Sequence, residues 1–241
     1  ATAIGFLMLP SFIVSILLPP ISGVIVQLFG WRWSFLLVII PTVLSIPLLY
    51  FKLPETADPA GKQRNINPIA TLSTLTKYPM IGVIFCNGFT FTAMIMVSSN
   101  FSIVIAQYYP YGAALIGLMY MPYGIGSLLG ALLGGKIIDR TRKAFGLGGT
   151  VLIHVIFACF TCSFSFIYGW VVPHFPIVTV ICLMCVSFGA ICSRTAIFSL
   201  GVQLNPGGAA TATAALVCFQ FLLSVPELTI TGALLGRILP G

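Results

Sequence analysis

"MPYGIGSLLGALLGGKIIDRTRK", residues 121–143, joins an apolar run to an abrupt cluster of charge. Gly126, Gly130 and Gly134 recur at every fourth place, a spacing that lines one helix face and strips it of side chains. A neighbouring backbone then approaches closely, which is the small-xxx-small packing device of helices in lipid. Lys136, Asp139, Arg140, Arg142 and Lys143 follow, where Lys and Arg favour the last-turn carbonyls and the anionic cytoplasmic leaflet. The charge begins where lipid ends. Asp139 lies at the end of the helix dipole that disfavours a carboxylate, so it requires a partner: Arg140, Arg142 or the N-terminus of another helix. A bond made in only one arrangement of helices would act as a conformational latch.

The rest of the chain repeats this apolar character. Of 241 residues, 59% are hydrophobic and 6% charged, against roughly 25% charged in ordinary soluble chains; mean hydropathy is +1.10. Too few charges are present to cover a soluble surface. Seven runs approach the length of about 20 apolar residues that a spanning helix needs: 3–29, 33–53, 79–105, 113–138, 148–170, 176–201 and 209–236. They are long and unalternating, unlike barrel strands of about ten residues. The expected fold is all-α, a polytopic membrane helix bundle with seven predicted spans. No basic region precedes the first run, which continues past Pro19 and Pro20 at spanning length, unlike a cleavable signal peptide.

Basic residues orient the bundle, because short cytoplasmic loops retain Lys and Arg. Lys52, Lys62, Arg64 and Lys77 surround the loop after the second span, and Lys136, Arg140, Arg142 and Lys143 follow the fourth. Trp31, Trp33, Trp170, Tyr108, Tyr109 and Tyr111 occupy the opposite connections, as an aromatic belt does. The first span is therefore expected to run outward from the cytoplasm. This bias accounts for the net charge of +7, and no nucleic-acid partner is inferred from it.

Polar residues inside the spans are the candidate functional groups, since a charge at the bilayer centre costs roughly 2.5–3.5 kcal/mol or more unless it faces protein or water. Arg194, in the cytoplasmic half of the sixth span, either holds an anionic substrate group or snorkels to the inner headgroups. Glu227 follows Pro226 in the outer half of the seventh, and either carries a proton or serves the proline break. Depth separates the two: roughly 10 Å from the inner boundary for Arg194 and roughly 27 Å for Glu227. Asn87, the deepest amide of the third span, either touches substrate or makes an interhelical hydrogen bond. His154 reads as a satisfied packing residue. Cys159, Cys162, Cys182 and Cys185 match a zinc spacing on paper, but they lie inside apolar spans where thiols behave as small apolar groups, so neither metal nor other cofactor is expected. No P-loop, nucleophile triad or paired carboxylate motif points to an enzyme.

Several stretches carry a resemblance. "GGKIIDRTRK" resembles the cytoplasmic-loop motif of the major facilitator superfamily, with Gly135, Asp139, Arg140 and Lys143 matching and Arg142 standing where a second glycine is usual. "GWRWSF" at 30–35 and "LPET" at 53–56 are similar to the turn between that family's fifth and sixth helices and to the end of the sixth. The run from Tyr108 to Asp139 and "NPGGAATATAALV" at 205–217 resemble the eighth helix and the start of the eleventh in fungal twelve-helix drug:proton antiporters, nearest their quinidine-resistance branch. Of the antiporter motif in the fifth helix only Pro20 and Gly23 are kept. Gln203, Leu216 and Gln220 stand where relatives tend to have an acid, an Asn and an Arg.

The resemblance implies family helices five to eleven. Residues 1–56 would close the N-terminal half-bundle, 57–77 would form the cytoplasmic central loop, and 78–241 would be a C-terminal half-bundle lacking its last helix. It implies an incomplete major facilitator fold in the lipid bilayer of the plasma membrane, or of the vacuole. The implied function is proton-coupled transport of drugs or metabolites. Helices from the same or another chain would complete the pathway, since such transporters rock two halves about a midplane site. A non-transporting remnant is the second reading. A seven-helix receptor or retinal protein does not fit, because the orientation is reversed and the last span has no Lys for a Schiff base.

Overall fold

The computed structural model describes residues 2–52, 78–205 and 209–238. The central loop, 57–77, lies outside the described residues, as does "LPET" at 53–56. The elements are α1 (Thr2–Phe29), a 3-10 turn (Trp31–Phe35), α2 (Leu36–Lys52), α3 (Met80–Tyr108), α4 (Ala113–Met119), α5 (Met121–Val171), α6 (Pro176–Leu204) and α7 (Ala209–Ile238). Among the described residues there is no strand. In lipid a backbone must satisfy its own hydrogen bonds, and an uninterrupted helix does so.

The fourth predicted span, 113–138, is α4 followed by the first arm of α5, and the fifth, 148–170, is the second arm of α5. At 51 residues a straight helix would be roughly 77 Å long, far beyond a bilayer core of about 30 Å. The chain breaks at Gly146, whose φ of 59° and ψ of −142° only glycine adopts without strain. A Cβ built on Gly149 would stand 2.7 Å from the carbonyl oxygen of Thr141, whereas residues eight apart in a straight helix are roughly 12 Å apart. The chain therefore folds back. A second positive-φ glycine, Gly30 at 89°, turns the chain from α1 into the 3-10 turn.

Contacts between helices give their directions. Gly126, Gly130 and Gly134 face Met184, Phe188 and Cys192 in rising order, so the first arm of α5 runs parallel to α6. In the second arm His154 meets Ser193 while Phe160 and Thr161 meet Gly189, so it runs antiparallel. α1 descends along the first arm, with Gly23 beside Ala113, Pro19 beside Gly117 and Ile16 beside Gly124. Successive spans thus alternate in direction, as loops on opposite sides of a membrane require.

Three buried layers stack along α3. Met80, Val83 and Ile84 pack with Ile197, Leu200 and Leu216; Phe91 and Met94 with Ala131, Ala190 and Ile191; and Val97, Phe101 and Ile105 with Leu183, Val186 and Val172. The outward faces carry exposed Leu, Ile, Val and Phe, an arrangement suited to lipid and not to water. α2 is the extreme case: Val38, Ile39, Ile40, Val43, Leu44 and Ile46 are all more than half exposed, and its main neighbour is the adjoining 3-10 turn.

Candidate functional site

Most hydroxyls in these helices are satisfied locally. Thr90, Ser127, Thr161, Thr179 and Thr195 each donate to the carbonyl four residues back, the usual outcome for Ser and Thr inside a helix. The informative polar groups are those that reach another helix or reach nothing.

Asn87 is buried on α3 at 2% exposure. Its Nδ2 donates to the Leu216 carbonyl and to Gln220 Oε1 on α7, each at 3.2 Å. Both donors of the amide are spent on that seam. The Nε2 of Gln220, itself fully buried, has no hydrogen-bond partner among the described residues. Gln220 carried no functional signal in the sequence beyond its departure from the family pattern. One helical turn above, Phe91 meets Phe221 edge-on with ring centroids 5.2 Å apart.

Arg194 lies on α6 close to the same ring. Its guanidinium carbon stands 5.4 Å from the Phe91 centroid and 5.1 Å from that of Phe198. The Tyr123 hydroxyl of α5 is near enough to interact with its charge. Among the described residues neither a hydrogen bond nor an ion pair reaches the guanidinium. α6 continues to Leu204, beyond the expected end at 201, so Arg194 lies about ten residues, or roughly 15 Å, from the inner end of its helix.

Glu227 is half-buried on α7 behind Pro226. Its Oε2 is enclosed without a hydrogen-bond partner among the described residues. Arg194 and Glu227 are not brought together. His154 accepts or donates at Nδ1 with Ser193 Oγ at 2.7 Å, and the Ser193 carbonyl lies 3.3 Å away. That bond ties the second arm of α5 to α6.

The glycine stripe lies against backbone. A Cβ on Gly126 would strike the Met184 carbonyl and Ser187 Oγ; on Gly130 it would stand 2.7 Å from the Phe188 carbonyl oxygen, and on Gly134 2.9 Å from Cys192 Sγ. Gly23 makes the same kind of approach to α4, 2.5 Å from the Ala113 carbonyl oxygen, while Pro20 lies half-buried within α1. At the outer end of this seam the Ala114 N–H donates to Gln27 Oε1 at 3.1 Å, a contact the sequence did not signal. In the charged motif Gly135 is buried, Asp139 half-buried, and Arg140 and Lys143 exposed.

Comparison with known proteins places this arrangement. The family profile of the Major Facilitator Superfamily matches residues 1–225. An MFS-type transporter, phiL, from a fungal species is 26% identical over 190 residues, covering 68% of this chain and 45% of the relative. Multidrug transporter AQR1 of Candida glabrata is 32% identical over 150 residues, covering 53% and 25%. MFS antiporter QDR2 of Candida albicans is 28% identical over 151 residues, covering 47% and 30%. The chain spans less than half the length of these relatives. No solved structure matches it.

Proposed function

This chain belongs to the major facilitator superfamily and is a multi-pass membrane protein, and on that premise we propose that it forms part of a proton-coupled secondary transporter exporting small organic molecules, drugs or metabolites. The observation that carries the reading is the seam between α1 and the α4–α5 unit. There Gly23 and Gly117 each approach facing backbone closely and Gln27 caps Ala114. In the proposed division, 1–56 belongs to one half-bundle, 57–77 is the linker and 78–241 belongs to the other. The α1 seam is then the contact between halves that must slide when access alternates. Helices beyond these seven complete the pathway, whether from the same chain or from another.

Within this reading Asp139, with Gly135, Arg140 and Lys143, is the inner latch. Glu227 is the proton carrier, as an enclosed carboxyl in a proline-broken helix suits. Nothing in the residue chemistry calls for a cofactor or an enzymatic step. We place the protein in the plasma membrane, and immunofluorescence of the tagged native protein on the vacuole would overturn that.

The test is drug movement in proteoliposomes carrying the complete native protein under an imposed pH gradient. Gradient-driven movement supports the reading, and its absence sinks it. Glu227→Gln is expected to abolish the dependence of transport on pH; an unchanged profile assigns Glu227 to helix packing. The alternative, a remnant without transport, is separated by immunoblot of native membranes. A band near 25.8 kDa favours it, whereas a band at roughly twice that mass, as twelve spans of about 20 residues plus loops require, favours a complete transporter.

A further inference from the structure

We propose that the outward stripe on the first arm of α5 binds a phospholipid with a polyphosphorylated inositol headgroup. Its phosphates lie on Lys136, Arg140 and Lys143, and an acyl chain lies along Ile125, Leu129 and Leu133. The inference stands apart from the transport reading. Two faces of this arm are already taken: Gly126, Gly130 and Gly134 lie against α6, while Gly124, with Gly117 of α4 before it, lies against α1. A third face is left. At about 100° per residue, positions 125, 129, 133, 136, 140 and 143 fall within roughly 80° of one another, so they form one ladder down that face.

Exposure follows the ladder. Ile125 is 37% exposed, Leu129 37% and Leu133 45%, and Lys136, Arg140 and Lys143 continue the row as exposed residues. Gly134, Gly135 and Ile138, interleaved with them in sequence, are buried. Exposure is therefore a property of the face and not of a fraying helix end. Within a single turn the stripe changes from branched aliphatic to cationic, which is the division a phospholipid makes between chain and headgroup. Its charge is not cancelled from within: Lys136, Arg140, Arg142 and Lys143 stand against one carboxylate, Asp139, half-buried at the edge of the row.

The spacing of the cations selects the headgroup. Helix neighbours three or four places apart have Cβ atoms about 5–6 Å from one another, so the three cations make a row about two turns long. A headgroup with a single phosphodiester engages only part of that row. An inositol ring bearing further phosphates spreads its anions over the same span, and the Arg140 fork takes two oxygens of one phosphate. Four Lys and Arg directly beyond a span suit such lipids, and in the expected orientation they face the cytoplasmic leaflet that holds them. Lys136, the deepest of the three, reaches the phosphates by extending its aliphatic stem along the helix.

The experiment is native mass spectrometry of the complete native protein in mild detergent, with phosphatidylinositol bisphosphate, phosphatidylserine and phosphatidylcholine offered at equal concentration. Retention of the bisphosphate lipid by about tenfold or more over phosphatidylcholine is expected, with phosphatidylserine between them. Equal retention of the bisphosphate lipid and either of the others overturns the proposal without any variant having to fold. So does a stripe sealed by another helix, seen as no lipid retained. Each of Lys136→Gln, Arg140→Gln and Lys143→Gln should weaken retention about fivefold, the scale of one cation at an anionic surface. Arg142→Gln removes the same charge from roughly 130° around the helix and should weaken it much less. A loss equal to that of Arg140→Gln reduces the effect to general attraction and overturns the site. Soluble inositol trisphosphate separates lipid from free phosphate: lacking the chain, it should compete weakly, and displacement of the lipid at equal concentration overturns the role of the apolar ladder.

Discussion

Two seams hold the same bundle together by opposite means. Between α5 and α6, Gly126, Gly130 and Gly134 bring backbone against backbone. Between α3 and α7, contact runs through side chains: the Asn87 amide on Gln220, Phe91 against Phe221, and Gly88 beneath the end of Leu223. Lipid removes the hydrophobic drive for helix association, so both seams depend on packing and interhelical hydrogen bonds. The α5–α6 seam, inside one half-bundle of the proposed division, has few side chains to repack. A side-chain seam can exchange partners at modest cost.

The largest effect should come from filling the rigid seam. In Gly130→Leu the new side chain meets the Phe188 carbonyl, which cannot move without parting the helices. A loss beyond the ~1–3 kcal/mol of an overpacked core is expected, visible as loss of a monodisperse peak in detergent chromatography. Normal yield and melting temperature would mean the seam is looser than its geometry. With alanine at each position, Gly88→Ala should cost much less than Gly130→Ala, because the obstacle at Gly88 is the flexible end of Leu223. Equal losses for alanine at positions 88 and 130 would erase the distinction between seams.

Asn87→Leu tests whether the amide contact contributes to α3–α7 association. It removes the donor and leaves Gln220 Oε1 unpaired, and about 0.6–1.7 kcal/mol is the range for such bonds in membranes. A double variant with Gln220→Leu should recover part of that loss, since no buried polar group is then orphaned. Additive losses in thermal melts would show that the two amides do not act as a pair. The smallest stability change is expected for Gln27→Ala at the exposed rim of the α1 seam, on the order of 0.5 kcal/mol. Its readout is kinetic: a changed turnover rate with unchanged melting temperature fits a sliding contact, and an unchanged rate excludes Gln27 from it.

The residue pattern disclosed some of this and concealed the rest for identifiable reasons. Apolar length and the break in charge around 136–143 located the arms of α5, because desolvating backbone and charge is governed by local composition. Four-residue glycine spacing announced a close contact but not its partner, since any smooth helix face would serve. Asn87 left two roles open, and its partner Gln220, 133 positions away, carries no marker that links the two. The inner end of α6 runs to Leu204, past the expected end at 201, through Val202 and Gln203.

Composition and periodicity alone determined that this is a multi-pass helical membrane protein, since lipid imposes a length and a polarity on every segment independently. Which glycine meets which carbonyl, that Asn87 is spent on α7, and that Arg194 faces two phenylalanine rings were decided only by tertiary packing. Those relations join residues far apart in sequence. The bilayer constrains each helix separately and leaves their pairing to shape and hydrogen bonding between them.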